Sequence, residues 1–202
     1  MKVHHLTNFG LPVWLALPQD IPTRFHLHLH GSGESGPGFE QLGKWGLTRL
    51  ILGGLDLESA VIVPVCPAEY DWRDQDMILA AQSASRQVME RYGYRGPVSI
   101  SGYSMGARGV WRSLGSKLYD RALIVSGRVP PRVPQPPDSG VTIKIFHGSE
   151  DNHEPAAKVR DYCHACRDAG WDTIFEELSG AGHYIADKVF SREDVVQFIS
   201  AK

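Results

Sequence analysis

Gly102-Tyr103-Ser104-Met105-Gly106 stands directly between the extended apolar run Val98 to Gly102 and a helical stretch from Met105 to Leu114. Small residues flanking a serine permit a strained strand-to-helix turn that pushes its hydroxyl into solvent. The pattern G-x-S-x-G supplies them, and its context turns a weak five-residue match into a candidate nucleophile elbow. A serine hydroxyl is a poor nucleophile at neutral pH, so an imidazole must take its proton and a carboxylate must hold the imidazole. The rest of the chain is therefore read for an acid and a histidine that the fold can bring to Ser104.

Working outward, apolar runs and turn signals alternate as strand, loop and helix from about Phe25 onward, the pattern of a mostly parallel sheet covered by helices on both faces. The expected strands are Val13 to Leu17, Phe25 to His30, Ala60 to Val65, Val98 to Gly102, Ala122 to Ser126, Thr142 to His147 and Thr173 to Leu178. The expected helices are Gly38 to Leu52, Gln75 to Tyr92, Met105 to Leu114, Pro155 to Ala169 and Arg192 to Ser200, the last capped by Ser191-x-x-Asp194. Arg128 to Gly140 carries five prolines and reads as an irregular connection too short for a helical lid. With 202 residues and 42% hydrophobic content, residues 1–202 read as a single α/β domain without a lid.

After the expected strand Thr142 to His147 comes Gly148-Ser149-Glu150-Asp151, which brings acidic side chains to the C-terminal edge of the sheet, where open α/β sheets bind ligands. After the next strand comes Gly180-Ala181-Gly182-His183-Tyr184, a loop able to present an imidazole at the same edge. Ser104 as nucleophile, Asp151 as orienting acid and His183 as base follow, with Glu150 and Glu154 as alternative acids. An oxyanion needs backbone N–H donors. Met105, at the start of its helix, offers one. Ser32, in the Gly-rich loop His30-Gly31-Ser32-Gly33-Glu34, offers the second.

Leu29-His30-Gly31-Ser32-Gly33-Glu34-Ser35-Gly36, Val63-Pro64-Val65-Cys66-Pro67, the elbow, His147-Gly148 and Gly182-His183 together resemble the α/β-hydrolase superfamily, in the same order over nearly the whole chain beyond Phe25. Within it the chain is similar to small lidless serine esterases of the predicted-peptidase, polyhydroxybutyrate-depolymerase and phospholipase/carboxylesterase type. The resemblance implies an ester or related acyl hydrolase with Ser104, Asp151 and His183 as triad and oxyanion donors at Ser32 and Met105, working without a cofactor or a metal. A thioesterase or peptidase would use the same residues. A silent hydrolase-fold protein that binds a small molecule is the reading from another class.

Other features have plainer readings. His26, His28 and His30 share one face of a strand; the first two read as hydrogen-bonded core histidines and His30 as a brace for the oxyanion loop. Cys163-x-x-Cys166 lies within a helical stretch with no second ligand pair and reads as packing or surface cysteines, and three cysteines including Cys66 are too few and odd in number for a disulfide framework. His147, His153 and His164 read as supporting or surface residues; Arg108, one helical turn after Ser104, reads as a structural ion-pair partner, with contact to an anionic substrate group as the alternative. Trp72, Tyr103 and Tyr184 are the candidates for substrate contact. A net charge of -2 gives nucleic acid and anionic membranes no attraction, and the N-terminus lacks a signal-peptide core, so the expectation is a cytoplasmic protein acting on a small ester.

Overall fold

A computed structural model describes residues 1–137 and 140–200. The chain runs β1 (Lys2–Phe9), β2 (Leu11–Leu17), β3 (Phe25–Leu29), a 3-10 turn (Ser32–Glu34), α1 (Gly46–Leu52), β4 (Ala60–Pro64), α2 (Gln75–Arg91), β5 (Val98–Tyr103), α3 (Met105–Ser113), β6 (Tyr119–Val125), β7 (Thr142–Gly148), α4 (Ala156–Asp168), β8 (Asp172–Leu178), α5 (Ala186–Phe190) and α6 (Glu193–Ser200). The eight strands form one sheet in the order β1-β2-β4-β3-β5-β6-β7-β8. β1 and β2 join antiparallel, and every pairing from β4 to β8 is parallel. No additional lid domain is present among the described residues.

The inner strands are apolar on both faces because helices cover both. Along β4, Ala60 and Ile62 enter the cluster under α2, α3 and α4, whereas Val61 and Val63 enter the cluster under α1, α5 and α6; in β6, Ala122 and Ile124 separate from Leu123 and Val125 in the same way. His26 and His28 are buried polar residues within this core. His26 hydrogen-bonds the hydroxyls of Ser99 and Ser101 at 2.7 and 2.6 Å, and His28 that of Ser101 at 2.7 Å, across the parallel pairing with β5. Burial drives both imidazoles toward the neutral form, His28 down to about 3.

Four details differ from the sequence reading. β1 carries His4, His5, Thr7 and Asn8 and so has no apolar run; it is an edge strand with largely exposed side chains, held by its register with β2. α1 begins at Gly46 rather than Gly38, and residues 38–45 form turns, with positive φ at Gly43 and Gly46 breaking helical geometry. The short helix α5 intervenes before α6. Ser191 therefore closes α5, its hydroxyl donating to Lys188 O at 3.1 Å, instead of capping α6. In the Pro-rich connection, whose Asp138 and Ser139 lie outside the described residues, Tyr162 Oη donates to Arg132 O at 3.1 Å and the Trp171 indole to Pro134 O at 2.8 Å, fastening the segment beside α4.

The turn between β5 and α3 is packed against backbone. A Cβ on Gly102 would meet Gly106 C and O at 2.3 Å, and one on Gly106 would meet Leu29 O at 1.8 Å. Neither neighbour is a side chain that can rotate away. Gly106→Ala should therefore displace α3 from β3 and cost at least about 3 kcal/mol. Urea unfolding measures this, and a midpoint equal to wild type would contradict the packing.

Candidate active site

Ser104 has φ 54° and ψ -107°, a left-handed conformation that a non-glycine residue adopts only where the surroundings impose it. The imposing contacts are the Gly102–Gly106 packing and the Ser104 N–H donating to Val125 O at 3.0 Å. The result is a half-buried hydroxyl at the C-terminal edge of the sheet. Ser104 Oγ lies 2.9 Å from His183 Nε2, and His183 Nδ1 lies 2.8 Å from Asp151 Oδ2.

The direction of these bonds follows from the groups. An ionised carboxylate only accepts, so Nδ1 carries the proton and the neutral imidazole presents the Nε2 lone pair to the serine hydroxyl. Burial raises the Asp151 pKa, but the His183 bond and the His153 N–H outweigh it, and the carboxyl is held below its usual range. Burial pushes His183 down, Asp151 pushes it up, and the neighbouring His153 and His147 push it down again; the net shift is downward. The other oxygen, Asp151 Oδ1, accepts the N–H groups of His153 at 2.8 Å and Glu154 at 3.4 Å. Of the three acids in this loop it is Asp151 that meets His183: Glu150 is exposed, and Glu154 pairs with Lys158.

The acid and histidine loops are tied together. Glu150 N–H donates to Ala181 O at 2.8 Å and Gly180 N–H to Ser149 Oγ at 2.8 Å. A Cβ on Gly148 would lie 2.3 Å from Ala181 O and Gly182 O, which explains a glycine at the end of β7. Ser126, the other non-glycine residue with positive φ among the described residues, follows β6 and donates its hydroxyl to His183 O at 2.9 Å. The His153 ring lies against the His183 ring with centroids 4.1 Å apart.

The Gly-rich loop after β3 reaches the same edge. Ser32 lines the cleft and Met105 opens α3. The buried carboxylate of Glu34 shapes this loop by accepting the Gly31 N–H at 3.3 Å, the Gly43 N–H at 3.2 Å and the Thr48 hydroxyl at 3.0 Å. His30 takes the bracing position. Its Nε2 accepts the Cys66 N–H at 3.0 Å, which leaves Nδ1–H to donate to Gly31 O at 2.8 Å; burial lowers its pKa to about 4 and keeps it in this neutral tautomer.

A cleft of about 340 Å³ opens above Ser104. Tyr103 and Tyr184 line it: the Tyr103 ring packs under Gly31 and 5.6 Å from His183, while Tyr184 is exposed and stands beside Trp45. Trp72 does not belong to the wall. Its indole is fully buried and donates to His30 O at 3.1 Å, so it braces the Gly-rich loop from below. Trp45, Arg108, Arg128, Ser126 and His153 complete the lining. Arg108 and His153 stand out in the sequence, though not as cleft walls; Trp45, Ser126 and Arg128 come from segments that carry no motif. Cys66, Cys163 and Cys166 are buried free thiols away from this lining, pushed up by burial to about 12, 12 and 11.

The mostly parallel eight-stranded sheet with helices on both faces and a strained serine at the β5–α3 turn is an α/β-hydrolase fold. The sequence profile of the dienelactone hydrolase family matches residues 66–194, more than half of the chain, and the chain belongs to that family of hydrolases. The sequence has no significant match among curated proteins. A thermostable esterase is similar in structure with a TM-score of 0.78 at 19% identity over 98% of this chain, which spans 62% of that one. TT1662 from Thermus thermophilus matches over the full length of both chains with a TM-score of 0.69 at 19% identity. Esterase 2 from Thermogutta terrifontis, phosphorylated by paraoxon, has a TM-score of 0.66 at 16% identity over 96% of this chain and 87% of its own. No helix of the described residues is long and apolar enough to cross a membrane.

Proposed function

We propose that the chain is a serine hydrolase that cleaves carboxylic esters of short or medium acyl chains through a covalent acyl-enzyme. The observation that carries this reading is the unbroken line from Asp151 through His183 to a strained Ser104 at the floor of an open cleft. Ser104 Oγ attacks the ester carbonyl as His183 Nε2 takes its proton, forming the C–O bond of a tetrahedral intermediate. The Ser32 and Met105 N–H groups stabilise its oxyanion. Collapse expels the alcohol, which receives the proton from His183, and leaves Ser104 acylated. Water then attacks with His183 again as base, releasing the acid and restoring the hydroxyl. Asp151 holds the imidazole in the Nδ1–H tautomer throughout.

Tyr103 and Tyr184 flank the acyl group, and the cleft volume of about 340 Å³ suits a short chain better than a long lipid. Wild type should turn over p-nitrophenyl acetate and butyrate, with kcat/KM falling toward octanoate, and should become labelled by a fluorophosphonate probe. A folded protein that hydrolyses none of these esters and takes no label would overturn the proposal in favour of a binding protein.

A further inference from the structure

The Ser104 cleft does not end at Arg108. A second hollow of about 400 Å³ adjoins it, sharing Arg108 and Arg128 in its lining and adding Arg73, Arg112 and Arg132. This gathers five guanidinium groups in a protein whose formal net charge is -2. Among the described residues the lining holds no acid. Asp71 reaches Arg73 at 3.1 Å and Arg108 at 3.4 Å from outside it, one carboxylate against five cations. Among the described residues Arg112 and Arg132 have no carboxylate partner, and both are exposed. Burial, with smaller contributions from Arg73 and Arg128, outweighs Asp71 and holds Arg108 below its ordinary pKa.

The placement points back to the serine. Arg108 and Arg112 stand four residues apart on α3, whose N-cap is Ser104, so they lie about 6 Å and about 12 Å along the helix from the serine end. Trp111, Val129 and Pro131 supply an apolar floor between the arginines, and the buried Trp111 indole N–H has no acceptor among the described residues.

We propose that this groove binds the phosphate-bearing part of an ester substrate whose scissile carbonyl sits at Ser104. The proposal rests on the hydrolase reading above. A carboxylate is satisfied by one guanidinium fork, whereas a phosphate dianion presents three terminal oxygens and suits several forks at once. The apolar floor fits an alkyl or aryl spacer between the ester and the phosphate. The charges stand where such a group, tethered through a spacer of a few bonds, would reach.

Two measurements test this. In calorimetric titration, phenyl phosphate should bind wild type with a Kd below about 1 mM, and the R112Q/R132Q double variant should bind at least tenfold more weakly. This arm requires no turnover, so it tests the groove even where the hydrolase reading fails. In kinetics, kcat/KM for 4-acetoxyphenyl phosphate, relative to the neutral 4-methoxyphenyl acetate, should fall at least tenfold in the double variant, with the change in KM. Comparing the ratio between proteins cancels the intrinsic reactivities of the esters. Added salt should lower the same ratio in wild type. Absence of phenyl phosphate binding, or an unchanged ratio, overturns the proposal. An equal fall for 4-acetoxybenzoate overturns the phosphate assignment in favour of general attraction of anions, and failure of all three esters in wild type counts against the hydrolase reading instead.

Discussion

Ser104→Ala should reduce ester turnover by a factor on the order of 10^5 to 10^6 and abolish labelling by a fluorophosphonate. The loss is expected to be this large because every covalent step runs through one oxygen atom, and water entering the vacated space has neither its position nor its strain. Fold stability should change little. Alanine keeps a Cβ at φ 54°, so the backbone strain is retained, and the Ser104 N–H still donates to Val125 O. The expected signature is thus a near-native unfolding midpoint combined with lost turnover in p-nitrophenyl acetate assays. Residual activity within a hundredfold of wild type would mean that another group attacks the ester. The three thiols offer no ready substitute, since all are buried and burial keeps them protonated at neutral pH.

Much of this architecture is written locally. β4 and the second half of β6, Ala122 to Val125, are continuous apolar runs because both their faces are covered, and the elbow is readable because only glycine fits where a Cβ would lie 1.8 Å from Leu29 O. Asp151 and His183 are legible because each follows a strand whose neighbour is known, so their loops must emerge at one edge. What period and spacing do not encode is which exposed segments converge over that edge. Trp72 follows a strand as a cleft residue would, yet its direction depends on His30 O, forty-two positions earlier, being available as an acceptor. Trp45 and Tyr184 meet because α1 packs on α5, an element too short for a helical period to reveal. Arg73, Arg108, Arg112, Arg128 and Arg132 belong to three separate segments, and in sequence all but Arg108, placed by its spacing from Ser104, resemble ordinary surface cations. β1 escaped for the opposite reason: its pairing with β2 is a backbone property, and of its side chains only Phe9 is buried, too little to make an apolar run.

Asp151→Asn should lower kcat/KM by about 10^3 to 10^4 at neutral pH, and the surrounding hydrogen bonds say why an isosteric change does so much. Asp151 Oδ1 accepts two backbone N–H groups, so the amide oxygen of the asparagine must take that side to avoid setting donor against donor. Its NH2 group then faces His183 Nδ1, where the carboxylate oxygen had accepted a proton at 2.8 Å. The imidazole answers by moving its proton to Nε2, which aims a donor at Ser104 Oγ and leaves no lone pair to receive the serine proton. The pH dependence gives an independent reading. Neutral His183 is the active form, and its pKa already lies below the ordinary histidine value, so wild-type kcat/KM should be flat through neutrality and fall only on the acid side of about 6.5. Removing the carboxylate takes away the group that pushes His183 upward while burial, His153 and His147 still push it down. The acid limb of the residual activity should therefore shift further toward low pH. An Asp151→Asn enzyme within tenfold of wild type, or an acid limb that moves upward, would remove Asp151 from the role of orienting acid.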